Sequence, residues 1–221
     1  MIDDLGSYRT PTFFIDSDHE AVARFSRDIT DGATTETERA VRLFYAVRDD
    51  IPYDFMDGLD LSAERFKASS VLQRRRGFCI PKAVLLAAAC RSAGIPCRLR
   101  FADVRNHLAP DNLKDLMATD VFLYHGLVEM HLAGRWVKAT PAFDKVMCER
   151  HGVRPIEFNG VDEAVFHEFD LRAEKHMEYL RDHGFFADLP YEPITTAFRK
   201  AYPKMYGRAP TSCAKIDLDQ S

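Results

Sequence analysis

The chain has 221 residues, of which 46% are hydrophobic, enough for one substantial core or at most two small domains. A formal net charge of −4, with 29% charged residues, excludes the strongly basic face of an electrostatic nucleic-acid binder. No apolar run approaches the ~20 residues needed to span a bilayer, and Met1–Leu5 lacks the basic and apolar regions of a signal peptide.

Residues 1–34 are mixed, with Pro11 and an acidic turn at Asp16-Ser17-Asp18. Thr35-Glu36-Thr37-Glu38 is a capping-box pattern. Ala40, Val41, Leu43, Phe44 and Val47 follow at helical spacing, so a helix is expected to run to about Asp50, before Pro52. Phe66 to Gln73 reads as a short helix. The run Arg74-Arg75-Arg76 reads as a solvated loop. A glycine turn at Gly77 then leads into an alanine-rich helix from about Cys79 to Gly94, with Pro81 placed where the first helical N–H groups have no partner anyway.

Ile95 to Val104 reads as a strand. A loop is expected from Arg105 to about Asp120. Val121 to Leu132 shows the clearest period-two pattern. One face carries Phe122, Tyr124, Gly126, Val128, Met130 and Leu132; the other carries Leu123, His125, Leu127, Glu129 and His131. Ala133-Gly134 turns the chain, and Arg135 to Thr140 returns as the partner strand, with Trp136 as a core anchor. Helices followed by an antiparallel hairpin predict an α+β fold. Beyond Pro141, Phe169 to Gly184 is expected to hold one more helix, with Leu171, Lys175, Glu178 and Tyr179 near one face. Glu178 and Tyr179 fit either a cleft lining or a plain surface helix. Asp188 to Pro193 reads as extended or looped, and the end from Pro210 reads as frayed.

Five cysteines are present: Cys79, Cys90, Cys97, Cys148 and Cys213. Their number is odd and no pair has zinc spacing. Cys90 and Cys97 read as small core residues, and a reduced, cytoplasmic protein is the expectation. Cys79 differs from the rest because it opens a helix. Unpaired N–H groups and the positive end of the helix dipole favour a thiolate there, and the thiolate is the nucleophile. His125, on a strand, is the candidate base, and a helix packed on its face would bring Cys79 within reach. Two residues compete to orient the imidazole. Asp144 offers a carboxylate; Thr140, closer to the His125 level of the hairpin, offers only a hydroxyl. Asp144 is favoured. The Cys79 backbone N–H and Tyr53 are candidate oxyanion donors. A third expectation, a metal site built from His107, His125, Glu129 and His131, suffers from the ~7 Å spacing of alternate strand residues.

Several pieces carry a resemblance: Gly77-Phe78-Cys79, Lys82 to Leu86, Arg91 to Arg98, His125 to Glu129, and Leu132 to Val137. In this order and spacing they resemble the transglutaminase-like superfamily, a branch of the papain-like cysteine enzymes, over roughly residues 36–145. The resemblance implies that Cys79 is the nucleophile and His125 the base, in a papain-like fold whose cysteine helix packs on an antiparallel sheet. It implies acyl transfer through a thioester on a peptide, protein or small amide, by a peptidase, amidohydrolase or transamidase, with no metal or organic cofactor, no nucleic acid and no membrane partner. The family usually carries an aspartate where this chain has Thr140, and often an aromatic residue where it has Leu127. An inactive peptide- or protein-binding module on the same scaffold is the competing expectation. The whole of 1–221 is expected to be one domain, with 146–221 packed on the core.

Overall fold

A computed structural model describes residues 5–167, 170–172 and 174–206. Cys213 and the expected frayed end lie outside the described residues.

Two helices open the chain: α1 (Glu20–Thr30), absent from the sequence expectation, and α2 (Glu36–Asp50). At α2 the Thr35 hydroxyl accepts the Glu38 N–H, while the Glu38 carboxylate reaches back to the Thr34 N–H, one residue beyond the usual box. Short 3-10 turns at Phe55–Leu59 and Ala63–Phe66 lead into α3 (Ala68–Arg74). The arginine run is more tied than expected. Arg74 bonds buried Asp57 at 3.1 Å and the Arg65 carbonyl at 2.8 Å.

The central helix is α4 (Cys79–Ser92). From Ile80 to Arg91 every residue is buried, and its alanines let neighbours approach from all sides. Its two cations are buried with partners. Lys82 Nζ donates to the Arg48 and Ile51 carbonyls at 2.9 and 2.6 Å. Arg91 donates to the Thr10, Cys97 and Ala187 carbonyls. Thus α4 is pinned to the end of α2 at one end and to the sheet at the other.

Strand β1 (Cys97–Asn106) is followed by helix α5 (Asp111–Met117), inside the stretch expected to be a loop. Strands β2 (Val121–Leu132) and β3 (Arg135–Ala139) form the expected hairpin. After α6 (Lys145–Arg150) comes β4 (Met177–Phe186). This corrects the helix expected over 169–184. Helices α7 (Tyr191–Ala201) and α8 (Pro203–Tyr206) close the described chain, α7 starting within the stretch read as extended. The sheet is antiparallel throughout, in the order β3-β2-β1-β4. The fold is therefore α+β, with the cysteine helix packed on an antiparallel sheet, the arrangement the resemblance implies. Among the described residues no helix is long and apolar enough to cross a membrane.

One irregularity bears on the site. The β1–β2 register slips between Ala102 and Val104, and Tyr124 adopts a φ of 53°, costly for a bulky residue. The Asp103 carboxylate holds this bulge, accepting the Tyr124 N–H at 3.0 Å while bonding His183 Nε2 at 2.7 Å.

Candidate active site

Cys79 is the first residue of α4, and no side chain caps that helix start. The segment before it is held like a short strand. Gly77 donates to the Pro52 carbonyl at 3.2 Å and accepts the Asp54 N–H at 3.1 Å. This pairing brings Tyr53 beside the cysteine turn. From the other side β2 closes in at Gly126. A Cβ placed there would lie 3.0 Å from the Ile80 Cα and 3.3 Å from the Cys79 carbonyl oxygen. Only glycine lets strand and helix start meet this closely. The close approach brings the Gly126 N–H toward the Cys79 sulfur, where it joins the Ile80 and Cys79 N–H groups in favouring the thiolate. Burial outweighs these donors, and the thiol is pushed up to about 11.

The same approach shows which face of β2 carries the helix. α4 lies over Gly126, Val128 and Met130, the latter two fully buried, with Cys90 Sγ 3.5 Å from Met130 Sδ. The expectation that α4 packs on the His125 face is thus corrected: strand alternation directs His125 to the opposite face. Its ring packs on Phe166, 4.6 Å between centroids. Phe166 in turn meets Phe143, and Phe143 meets Tyr53, each pair at 5.0 Å. His125 is buried, and its Nε2 has no hydrogen-bond partner. Burial in this aromatic cage lowers the imidazole to about 3. No hydrogen bond among the described residues joins Cys79 to His125. Their adjacency runs through the backbone, since the residue after His125 is the one that meets the start of the cysteine helix.

Asp144 caps α6. One carboxylate oxygen accepts the Met147 N–H and the other the Tyr53 N–H, both at 2.8 Å. With both oxygens taken by backbone donors, it fixes Tyr53 rather than an imidazole. Thr140 extends the hairpin, its N–H bonded to the Ala164 carbonyl at 2.8 Å, and its buried hydroxyl faces the Tyr179 phenol without completing a hydrogen bond. Tyr53 stands beside the thiol. Its phenol ionises with difficulty, first because it is buried and then because of a charge at Cys79, and its hydroxyl makes no hydrogen bond among the described residues.

The residues of the metal expectation go to separate partners. Glu129 bonds Arg98 and Arg100 at 2.6 and 2.7 Å, His131 packs on Trp136, and His107 bonds Glu178 at 3.2 Å. Among the described residues no group of three or more histidine, cysteine or acidic side chains is placed to hold a metal ion. Cys90, Cys97 and Cys148 are free and buried. Glu178 and Tyr179, expected on a helix, lie on β4, where Glu178 pairs with Arg105, His107 and Lys175.

Sequence reasoning missed what lies over Cys79. Phe198, Tyr202, Met205 and Tyr206 from α7–α8 line the small cavity at Cys79, together with Met117, Phe122 and Leu123. Hydrogen bonds fasten this cover. The Tyr202 hydroxyl accepts the Leu123 N–H at 2.7 Å and donates to the Val121 carbonyl at 3.0 Å. The Tyr206 hydroxyl donates to the Gly58 carbonyl at 2.7 Å.

Two solved structures are similar to the chain. One, a candidate cysteine protease from Cytophaga hutchinsonii, is 14% identical, with a TM-score of 0.48 over 84% of this chain and 55% of that one. The other, a candidate protease from Parabacteroides distasonis, is 16% identical, with a TM-score of 0.38 over 57% of this chain and 25% of that one. The chain therefore spans little more than half the length of the first and a quarter of the second. No curated protein matches the sequence. The family model of the transglutaminase-like superfamily matches residues 23–141, from within α1 to just past β3 and across both Cys79 and His125, and the chain belongs to that superfamily.

Proposed function

We propose that the protein is a cysteine-nucleophile acyl-transfer enzyme acting on amide bonds through a thioester, as a peptidase or amidohydrolase or, if an amine replaces water, a transamidase. The observation that carries this reading is the seat of Cys79. Its sulfur lies at a helix start, under the Gly126 and Ile80 N–H groups, beside the unbonded Tyr53 hydroxyl.

Burial opposes a resting ion pair, since it raises the thiol to about 11 and lowers the imidazole to about 3. The reaction therefore starts from a neutral pair. The imidazole is free to accept a proton at every physiological pH. His125 leaves Phe166 and takes the thiol proton as sulfur attacks the amide carbonyl. The helix-start N–H groups and the Tyr53 hydroxyl stabilise the oxyanion. His125 then gives its proton to the departing amine, and water or a second amine resolves the thioester. Thr140 and Asp144 remain the candidates to orient the imidazole. Thr140 is favoured by its uncommitted buried hydroxyl and by its place on the hairpin.

The test uses p-nitrophenyl acetate. Intact mass and peptide mapping should find a single acetyl group on Cys79, absent in Cys79→Ala. Turnover should fall by about 10² or more in His125→Ala. Acetylation spread over several residues, with turnover indifferent to both substitutions, removes the proposal. A second reading, a binding module without turnover, is favoured by the small Cys79 cavity of about 30 Å³. The same experiment separates the two.

A further inference from the structure

The Cys79 site has a narrow side and a roomy side. Toward α7–α8 the space at Cys79 is only about 30 Å³, lined by Phe198, Tyr202, Met205 and Tyr206, and Cys79 itself is half-buried. Across the wall formed by Tyr53 and Phe55 lies a second cavity of about 350 Å³. Both residues line both spaces. The larger volume is within the range of small-ligand pockets, and such pockets are mostly apolar with few polar groups. Leu108, Leu113, Phe143, Met147 and Val153 supply its apolar surface.

Its three aspartates are already committed. Asp144 holds the Met147 and Tyr53 N–H groups. Asp49 pairs with Arg48 and accepts the Lys145 N–H. Asp54 accepts the Met56 N–H and faces Arg76 at 3.6 Å. His176, buried at the inner end, is held neutral, its imidazole lowered to about 4 mainly by burial. A ligand cation would find each carboxylate engaged; Arg150 and His151 also line the cavity, but Arg150 is exposed and has a partner of its own, so most of the surface a ligand anion would meet is apolar.

We infer that this cavity is the recognition pocket of the Cys79 site, taking an uncharged apolar group of about aromatic size that the substrate carries on the Tyr53 side of its reacting carbonyl. The inference rests on Cys79 being the nucleophile and adds a substrate class to it: amides with an apolar group on that side and only a small group on the α7–α8 side. Met147 and Leu108 become specificity-determining residues.

Two alkylating probes test it: iodoacetamide and N-phenethyl iodoacetamide, which share one warhead and differ in the group offered to the pocket. The quantity read is the ratio of their second-order rate constants at Cys79 within one protein, so that a general change in thiol reactivity cancels. Full burial of an aromatic ring predicts a wild-type ratio of at least about tenfold. Met147→Trp, which fills the pocket, should bring the ratio toward one. Leu108→Ala, which enlarges it, should shift the preference to the bulkier N-naphthylethyl probe. A wild-type ratio near one overturns the inference while leaving the nucleophile in place. So does a ratio that neither substitution moves in variants with native circular dichroism. Failure of every probe to label Cys79 overturns the nucleophile reading and the role of the pocket with it.

Discussion

At Cys79 the decisive contact is made by a residue without a side chain. Gly126 lets β2 touch the start of α4, and what an added methyl would strike is backbone, which cannot rotate away. Gly126→Ala is therefore expected to destabilise the fold by about 1–3 kcal/mol. It should also move the Gly126 N–H off the sulfur and slow Cys79 acylation. Chemical denaturation and the acetylation assay read the two effects, and an alanine variant of native stability and reactivity would contradict the described approach. The place of Cys79 at a helix start was legible, because a glycine turn followed by an alanine-rich run marks one. The position of His125 on a strand was legible from alternation. The face carrying the helix was not, because under strict alternation both faces of β2 read as apolar, Leu123 and Leu127 on one, Phe122 and Val128 on the other, and the bulge at Tyr124 then turns Phe122 to the His125 face. Nothing in one strand says which of two apolar faces a helix takes. Asp144 looked like a triad member because carboxylates pair with imidazoles, yet an aspartate just before a short helix is also a strong N-cap signal, and capping is what its oxygens do.

The elements after β3 decide access to the sulfur. The cover over Cys79 is an amphipathic helix, α7, continued by α8 and fastened by two phenols. Tyr206→Phe removes the bond to the Gly58 carbonyl and leaves the ring, so it should loosen the cover without emptying the core. Labelling of Cys79 by iodoacetamide should then speed up several-fold, in keeping with the roughly 1 kcal/mol of one net hydrogen bond. Tyr202→Phe should act in the same direction and leave the Leu123 N–H without its acceptor. Labelling rates identical to wild type in both variants would show that α7–α8 does not gate the thiol. These elements were poorly legible for identifiable reasons. β4 is an edge strand whose register with β1 slips twice, so it lacks the alternation that reveals β2. Leu171, Lys175 and Tyr179 meanwhile fall at helical spacing by coincidence. α7 begins behind Pro190 and carries Pro193 in its first turn, where a missing N–H costs little, but two prolines in four residues read as a loop. α5, at seven residues, is too short to show a period.

Across the whole molecule, burial of bases ties stability to pH in two separate windows. His125 and His176 have imidazoles lowered to about 3 and about 4 when folded, against about 6.5 in the unfolded chain. Their stabilisation is complete above about pH 6.5 and is lost as pH falls toward those folded values, because the unfolded state takes up protons that the folded state refuses. Lys82 acts higher. Mainly through burial its amine is lowered to about 7, while the unfolded side chain titrates near 10.4. Between about pH 7 and 8.5 the excess of protons on the unfolded chain at this residue grows from about half of one toward one. Unfolding free energy should therefore rise with pH there, by up to about 1.4 kcal/mol per unit. A neutral amine has two N–H bonds, and two carbonyls, those of Arg48 and Ile51, are waiting for them; the deprotonated form thus suits the site in hydrogen bonding as well as in charge. Lys82→Met should lower stability by orphaning both carbonyls and flatten the rise between pH 7 and 8.5. Urea unfolding midpoints across pH measure both, and parallel profiles for the wild type and Lys82→Met would show that the buried amine keeps its ordinary proton affinity.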